Sequence, residues 1–113
     1  MEAKTALRSL SALAQEKRLA VFRLLVRAGE HGESAGSIAR ALDVPPNTLS
    51  AQLNVLTNAG LIQRRREGRH VLYSADLDAM GALLVYLIEG CCEGNVALCG
   101  QIAEALEQVT RCP

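Results

Sequence analysis

The chain has 113 residues, half of them apolar, with equal numbers of basic and acidic side chains and so a formal net charge of zero. That length suits one domain with a core of its own, and no apolar run approaches the ~20 residues of a membrane-spanning helix. Aromatic residues make up only 3% of the chain, so the core has to be built from Leu, Ala, Val and Ile, a composition that favours helices.

The segment TALRSLSALAQEKRLAVFRLLVRAG predicts two helices. Leu7, Leu10 and Leu13 recur at helical spacing, Leu19, Phe22 and Val26 do so again, and Gln15-Glu16 marks the break between them. Gly29 and Gly32 end the segment. Ser34 is a candidate N-cap for a short helix over 34–42, with Ile38, Ala39 and Leu42 turned inward. Asp43-Val44-Pro45-Pro46 reads as a turn, because two prolines cannot continue a helix, whereas Pro46 can open the next one. That helix, over 46–59, carries Leu49, Leu53 and Leu56 as its apolar stripe and meets Gly60 at its end.

Beyond Gly60 the period of the pattern changes to two. Ile62 and then Val71 and Tyr73 alternate with polar residues, which predicts a hairpin of two short strands around Glu67-Gly68. A further helix follows, capped near Ser74 or Asp76. Its stretch from Leu83 to Ile88 is apolar on every side, and such a helix must be buried all round. In so small a domain one side is expected to meet its own core and another a second copy of the chain. IAEALEQV predicts a short amphipathic tail helix.

Helices 34–42 and 46–59, joined by a short turn, have the helix-turn-helix arrangement. Asn47, Thr48, Ser50, Gln52 and Asn54 lie off the leucine stripe of the second helix. These uncharged donors and acceptors suit base edges, and Asn and Gln pair well with adenine. Arg64, Arg65, Arg66, Arg69 and His70 cluster at the hairpin, where cations can follow a phosphate backbone or enter a minor groove. Charge is segregated along the chain. Residues 1–70 hold eleven Lys and Arg against six Asp and Glu, a net of +5, while residues 71–113 hold one Arg against six acids, a net of −5. The basic part suits nucleic acid and the acidic part can face away from it.

In this order and spacing, Arg18-Leu19, Ile38-Ala39, Leu49-Ser50, Leu53, Leu56, Ala59-Gly60-Leu61 and Glu67-Gly68-Arg69 resemble the ArsR/SmtB family of metalloregulatory repressors over roughly residues 5–92. The resemblance implies a mainly α winged helix-turn-helix with a β-hairpin wing. It also implies a homodimer joined through the first and last core helices, and repression relieved by a metal or metalloid. Residues 1–92 are then expected to form the DNA-binding and dimerisation domain, and residues 93–113 a tail with cysteine ligands and a short helix. The expected partners are double-stranded operator DNA, read by Asn47, Thr48, Ser50, Gln52 and Asn54 and gripped by Arg65, Arg66 and Arg69, and a second copy of the chain. Many members carry Arg-His after the Ser of the reading helix. Here Ala51-Gln52 stand there, which leaves base specificity open.

The family's common arsenite site is a Cys-x-Cys pair, and its matching positions here are Ser34 and Gly36. The family's zinc site needs Asp and His on the last core helix, but the two histidines of this chain are His31 and His70. The sequence offers GCCEGNVALCG instead, with Cys91, Cys92 and Cys99. This resembles a subset of arsenical repressors whose ligands are a Cys-Cys pair and one later Cys at the end of the last core helix. Soft thiolates select soft centres, and three thiols without a histidine make a poor structural zinc set. Trivalent arsenic, as arsenite or an organoarsenical, is therefore the expected inducer, with no organic cofactor. Cadmium, lead and antimonite remain alternatives, as does a thiol-disulfide redox switch. Cys112, next to the last residue, is expected to be an uninvolved terminal thiol. The first residues lack the apolar core and cleavage site of a secretory signal, so a cytoplasmic location with reduced thiols is expected. No nucleotide loop, catalytic dyad or acid/base pair is visible, and no enzymatic activity is expected.

Overall fold

In the computed structural model, which describes residues 1–89 and 96–110, the helices and the hairpin follow the expected order. The chain divides into two compact units, Met1–Leu83 and Leu84–Pro113. The first unit holds α1 (Ala3–Leu13), α2 (Glu16–Ala28), β1 (Glu33–Ser34), α3 (Ala35–Leu42), α4 (Pro46–Asn58), β2 (Ile62–Glu67), β3 (His70–Ala75) and the start of α5 (Leu77–Ile88). The second holds the rest of α5 and α6 (Val96–Thr110). This is a mostly helical winged helix-turn-helix.

Local chemistry explains where each helix starts and stops. The Gln15 side chain accepts from the Arg18 amide at 2.9 Å and caps α2, so the break between α1 and α2 falls at the expected pair. Ser34 accepts from the Ser37 amide at 3.1 Å and caps α3. Asp43, with φ 52°, is the left-handed residue that ends α3, and the Val44 amide returns to the Ala39 carbonyl at 3.0 Å. Pro46 occupies the first turn of α4, where its missing N–H costs nothing. At the far end of α4 the Gly60 amide donates to the Thr57 carbonyl and the Leu61 amide to the Leu56 carbonyl, the paired bonds of a Schellman motif. Leu56 and Leu61 are both fully buried, so this turn feeds β2 directly out of the core. The Asp76 carboxylate accepts from the Ala79 amide at 3.1 Å, which settles the start of α5 on Asp76 rather than Ser74.

The core gathers Val21, Phe22 and Leu25 of α2, Ile38 of α3, Leu49, Leu53 and Leu56 of α4, Leu61 of the turn that follows, and Ile62 and Ala75 of the sheet. Two helices leave apolar side chains open in the single chain. Helix α1 buries Ala6, Ser9 and Ala12, while Leu7 is 66% and Leu10 37% exposed. Small side chains let α1 lie close against the rest of the unit, and its leucines then face outward. In α5 only Leu83 of the all-apolar stretch is buried; Leu84, Val85 and Leu87 are each close to half exposed or more.

The sheet has one strand more than the hairpin expected from the sequence. β1 pairs antiparallel with β3, Glu33 opposite Tyr73 and Ser34 opposite Leu72, giving the order β1-β3-β2. A two-residue strand is too short to show a period of two. The hairpin turn itself is Gly68-Arg69, closed by Glu67 opposite His70, with Gly68 at φ 63°. α6 is longer than the expected tail helix, at 15 residues.

Among the described glycines, Gly32 has the least room for a side chain. It has φ 70° and ψ −167°, and an added Cβ would lie 2.2 Å from the Tyr73 carbonyl oxygen. Gly32→Ala is therefore expected to lower stability by about 2–4 kcal/mol, through backbone strain and forced separation of β1 from β3. Gly68→Asn, at an open left-handed position, should cost less than about 1 kcal/mol. Urea denaturation midpoints of the two variants and the parent chain check the contrast.

Candidate nucleic-acid interface

The side chains on the outside of α4 follow from which ones the core takes. Successive helical residues turn by about 100°, so burying Leu49, Leu53 and Leu56 turns Asn47, Ala51, Asn54 and Asn58 to the opposite side. All four are exposed, as is Ser50 beside them. The outward face is thus uncharged and small, polar except for Ala51, with the exposed Val55 at its edge. Thr48 and Gln52 lie on the flank between the two faces and are half-buried. The structure therefore brings Asn47, Ser50 and Asn54 together on the open side and holds Thr48 and Gln52 back from it.

Gln52 has a partner inside the protein. Its side-chain oxygen accepts from Arg18 Nη1 at 3.1 Å, and Arg18 Nε donates to the Ala12 carbonyl at 2.6 Å. The sequence assigns no contact to three residues of this region. Ala51 and Asn58 could have been found by placing α4 on a helical wheel centred on its leucines. Arg18 had no signal of its own, because its two acceptors lie six and thirty-four positions away.

The hairpin carries its cations on two faces. Arg64 stands opposite Tyr73 and Arg66 opposite Val71, on the face shared with Ile62. Arg65 stands opposite Leu72, on the other face. Its guanidinium donates to the Glu30 carbonyl at 3.2 Å and the His31 carbonyl at 3.3 Å, and pairs with Glu67 at 3.2 Å. Both members of that ion pair are largely exposed, so the charge pairing adds little. What Arg65 supplies is a tie between the base of the wing and the turn Gly29–His31. Arg66, Arg69 and His70 are exposed at or beside the wing tip.

Among the described residues no group of three His, Cys, Asp or Glu side chains is placed to hold a metal. Of the expected ligands, Cys91 and Cys92 lie outside the described residues, as does Cys112, and Cys99 falls on α6. His31 and His70 sit on the turn after α2 and on β3, and neither belongs to α5. No helix among the described residues is long and apolar enough to cross a membrane.

Comparison with known proteins agrees with this geometry. A family described as a helix-turn-helix domain matches residues 13–65. A protein of Halobacterium salinarum named as an arsenical resistance operon repressor is 40% identical over 78 residues, which are 69% of this chain and 59% of that protein. The transcriptional regulator YgaV of Escherichia coli is 31% identical over 78 residues, 69% of this chain and 77% of its own length. Among solved structures, the homodimeric winged helix-turn-helix DNA-binding domain Mb0332 of Mycobacterium bovis, described as a possible ArsR-family transcriptional regulator, superposes with a TM-score of 0.61 at 29% identity. That superposition covers 82% of this chain and 86% of the domain. The likeness is to DNA-binding regulators rather than to enzymes.

The two faces of the wing give a measurable contrast. Each phosphate contact contributes about 0.9 to the slope of log affinity for duplex DNA against log salt. Arg66→Ala and Arg69→Ala are each expected to reduce that slope by roughly this amount. Arg65→Ala should reduce it less, because the guanidinium is already engaged by two carbonyls and Glu67. Anisotropy titrations of a labelled duplex between 50 mM and 200 mM salt, conditions in which such slopes are about linear, decide between them.

Proposed function

Since the chain belongs to the ArsR family of winged helix-turn-helix transcriptional regulators, we propose that it is a homodimeric repressor that holds double-stranded operator DNA and releases it when Cys91, Cys92 and Cys99 take up trivalent arsenic. The observation that carries the DNA half of this reading is the small, uncharged outer face of α4 beside an arginine-rich wing. Asn47, Ser50 and Asn54 offer hydrogen bonds to base edges, Ala51 offers a methyl contact to thymine, and Arg66 and Arg69 grip the backbone. Asn47 and its neighbours also lie at the start of α4, whose free N–H groups suit a phosphate.

Two apolar surfaces support the dimer. α1 presents Leu7 and Leu10, and α5 presents Leu84, Val85 and Leu87, all left open in the single chain. Apolar surface of this kind calls for a cover, and a second copy of the chain provides it with two-fold symmetry. Two reading helices about one helical turn of DNA apart then match a near-palindromic operator.

The inducer rests on the donor set. Three thiols without a histidine fit a soft trivalent centre better than zinc. One relative is named for an arsenical resistance operon. Cys91, Cys92 and Cys99 would hold the arsenic, each thiol proton leaving with one arsenite hydroxide as water. A location in the cytoplasm, where thiols stay reduced, belongs to the same reading.

Fluorescence anisotropy of a labelled duplex from the protein's own promoter tests the whole. Reduced protein should bind the duplex, and arsenite should release it with a drop in affinity of about 5–150-fold, the usual range for such coupling. The joint variant Cys91→Ser and Cys92→Ser should bind DNA as the parent does and ignore arsenite. Release by the same arsenite concentration in that variant removes these thiols from the reading. Release by peroxide, reversed by dithiothreitol, reassigns them to a disulfide switch. Linkage also requires reciprocity: saturating the protein with operator should weaken arsenite binding by the same factor.

A further inference from the structure

Arg18 makes three bonds to three parts of the first unit. Its backbone amide completes the Gln15 cap at the start of α2. Its Nε reaches the Ala12 carbonyl, one of the last four carbonyls of α1, which have no partner within that helix. Its Nη1 reaches the side-chain oxygen of Gln52, midway along α4. The end of α1, the start of α2 and the flank of α4 are thereby tied through one guanidinium. The planar fork suits this, since its donors leave in fixed directions.

The consequence for Gln52 follows from its chemistry. An arginine can only donate, so the atom facing it must be the amide oxygen. Pairing with adenine requires that oxygen to accept from N6 while the amide nitrogen donates to N7. That oxygen keeps a second lone pair, but the bond to Arg18 turns the amide toward α2 and away from the outward direction that a paired contact to adenine needs. Gln52 is also half-buried on the flank of α4, whereas Asn47, Ala51 and Asn54 are exposed on its outer face.

We infer that Arg18 is a positioning residue that locks Gln52 away from the DNA, so that base preference is set by Asn47, Ala51 and Asn54 and not by Gln52. This rests on the operator-binding reading above and goes beyond it by dividing the polar residues of α4 into those that read and one that braces. Asn54 supplies a bidentate pair for adenine, and the Ala51 methyl suits the methyl group of thymine. Arg18 carries its charge inside this tie and contributes no phosphate contact.

The test is selection from a duplex pool randomised over the site, using the full chain and its variants, followed by affinity and salt titrations on the duplex that the parent enriches. Asn54→Ala should lose preference at one base pair in each half-site. Gln52→Ala should enrich the same sequence as the parent and bind it about three- to tenfold more weakly, as loss of one hydrogen bond predicts. Arg18→Ala should also keep the sequence preference, weaken binding uniformly and leave the salt slope unchanged. The double variant should bind no more weakly than Arg18→Ala alone, because both changes break one tie. Arg18→Lys, which keeps the charge and loses the fork, serves if Arg18→Ala does not fold by circular dichroism. A changed base preference in Gln52→Ala overturns the inference, as does a salt slope reduced by about one in either Arg18 variant. Failure of the parent chain to enrich any sequence is a separate outcome, and it removes the operator-binding reading itself.

Discussion

Burial of one face of α4 is the constraint on which the rest depends. Leu49, Leu53 and Leu56 are almost wholly withdrawn from solvent among Val21, Phe22, Leu25 and Ile38. Each leucine so buried contributes about 1.5–3 kcal/mol, whereas a hydrogen bond on the flank contributes about 0.5–1.5 kcal/mol. The leucines therefore decide how α4 is rolled about its axis, and the polar contacts only refine that choice. The same roll that fills the core turns Asn47, Ala51 and Asn54 outward. Reading face and core face are two sides of one packing decision.

The wing is held by weaker forces at the edge of that core. Ile62 and Ala75 anchor the roots of β2 and β3 inside it, and the Asp76 amide donates to the Leu61 carbonyl at 2.8 Å. Beyond those roots β2 is exposed along its length, while Val71, Leu72 and Tyr73 of β3, which stand opposite its arginines, are half-buried. The bonds from Arg65 to the Glu30 and His31 carbonyls stiffen the hairpin where it leaves the body. β1 adds a third strand through only two residues, and it requires the close approach of Gly32 to Tyr73. A wing built in this way keeps a defined base and a more adaptable tip, which suits contact with a phosphate backbone.

The leucines of α1 illustrate how a period can identify a helix without saying what covers it. The spacing of Leu7, Leu10 and Leu13 identifies a helix, and the helix is there. A stripe of leucines is by itself silent about whether its cover comes from the same chain or from another copy. Within one chain, Ala6, Ser9 and Ala12 take the inner side and Leu7 and Leu10 are left outside. The same ambiguity holds in α5, where a stretch apolar all round is buried only at Leu83. Both cases come from the protein burying less apolar surface alone than its sequence supplies.

Local signals in the sequence determined the elements and their ends. Gln15, Ser34, Asp76 and Gly60 act on backbone groups within a few residues, so caps and turns can be read without knowing the fold. The leucine stripe of α4 and the arginine cluster of the hairpin were legible for the same reason, as were the outward positions of Asn47, Ser50 and Asn54. The cysteine pattern was legible too, as a donor set without a geometry. Tertiary structure alone decided what depends on residues far apart in the chain. The pairing of β1 with β3, the engagement of Arg65 by the turn after α2, and the bond from Arg18 to Gln52 each join segments about thirty or more positions apart. Sequence pattern assigns a residue its face, and only packing assigns it a partner. That is why Gln52 looked like its neighbours on α4 until the fold placed Arg18 against it.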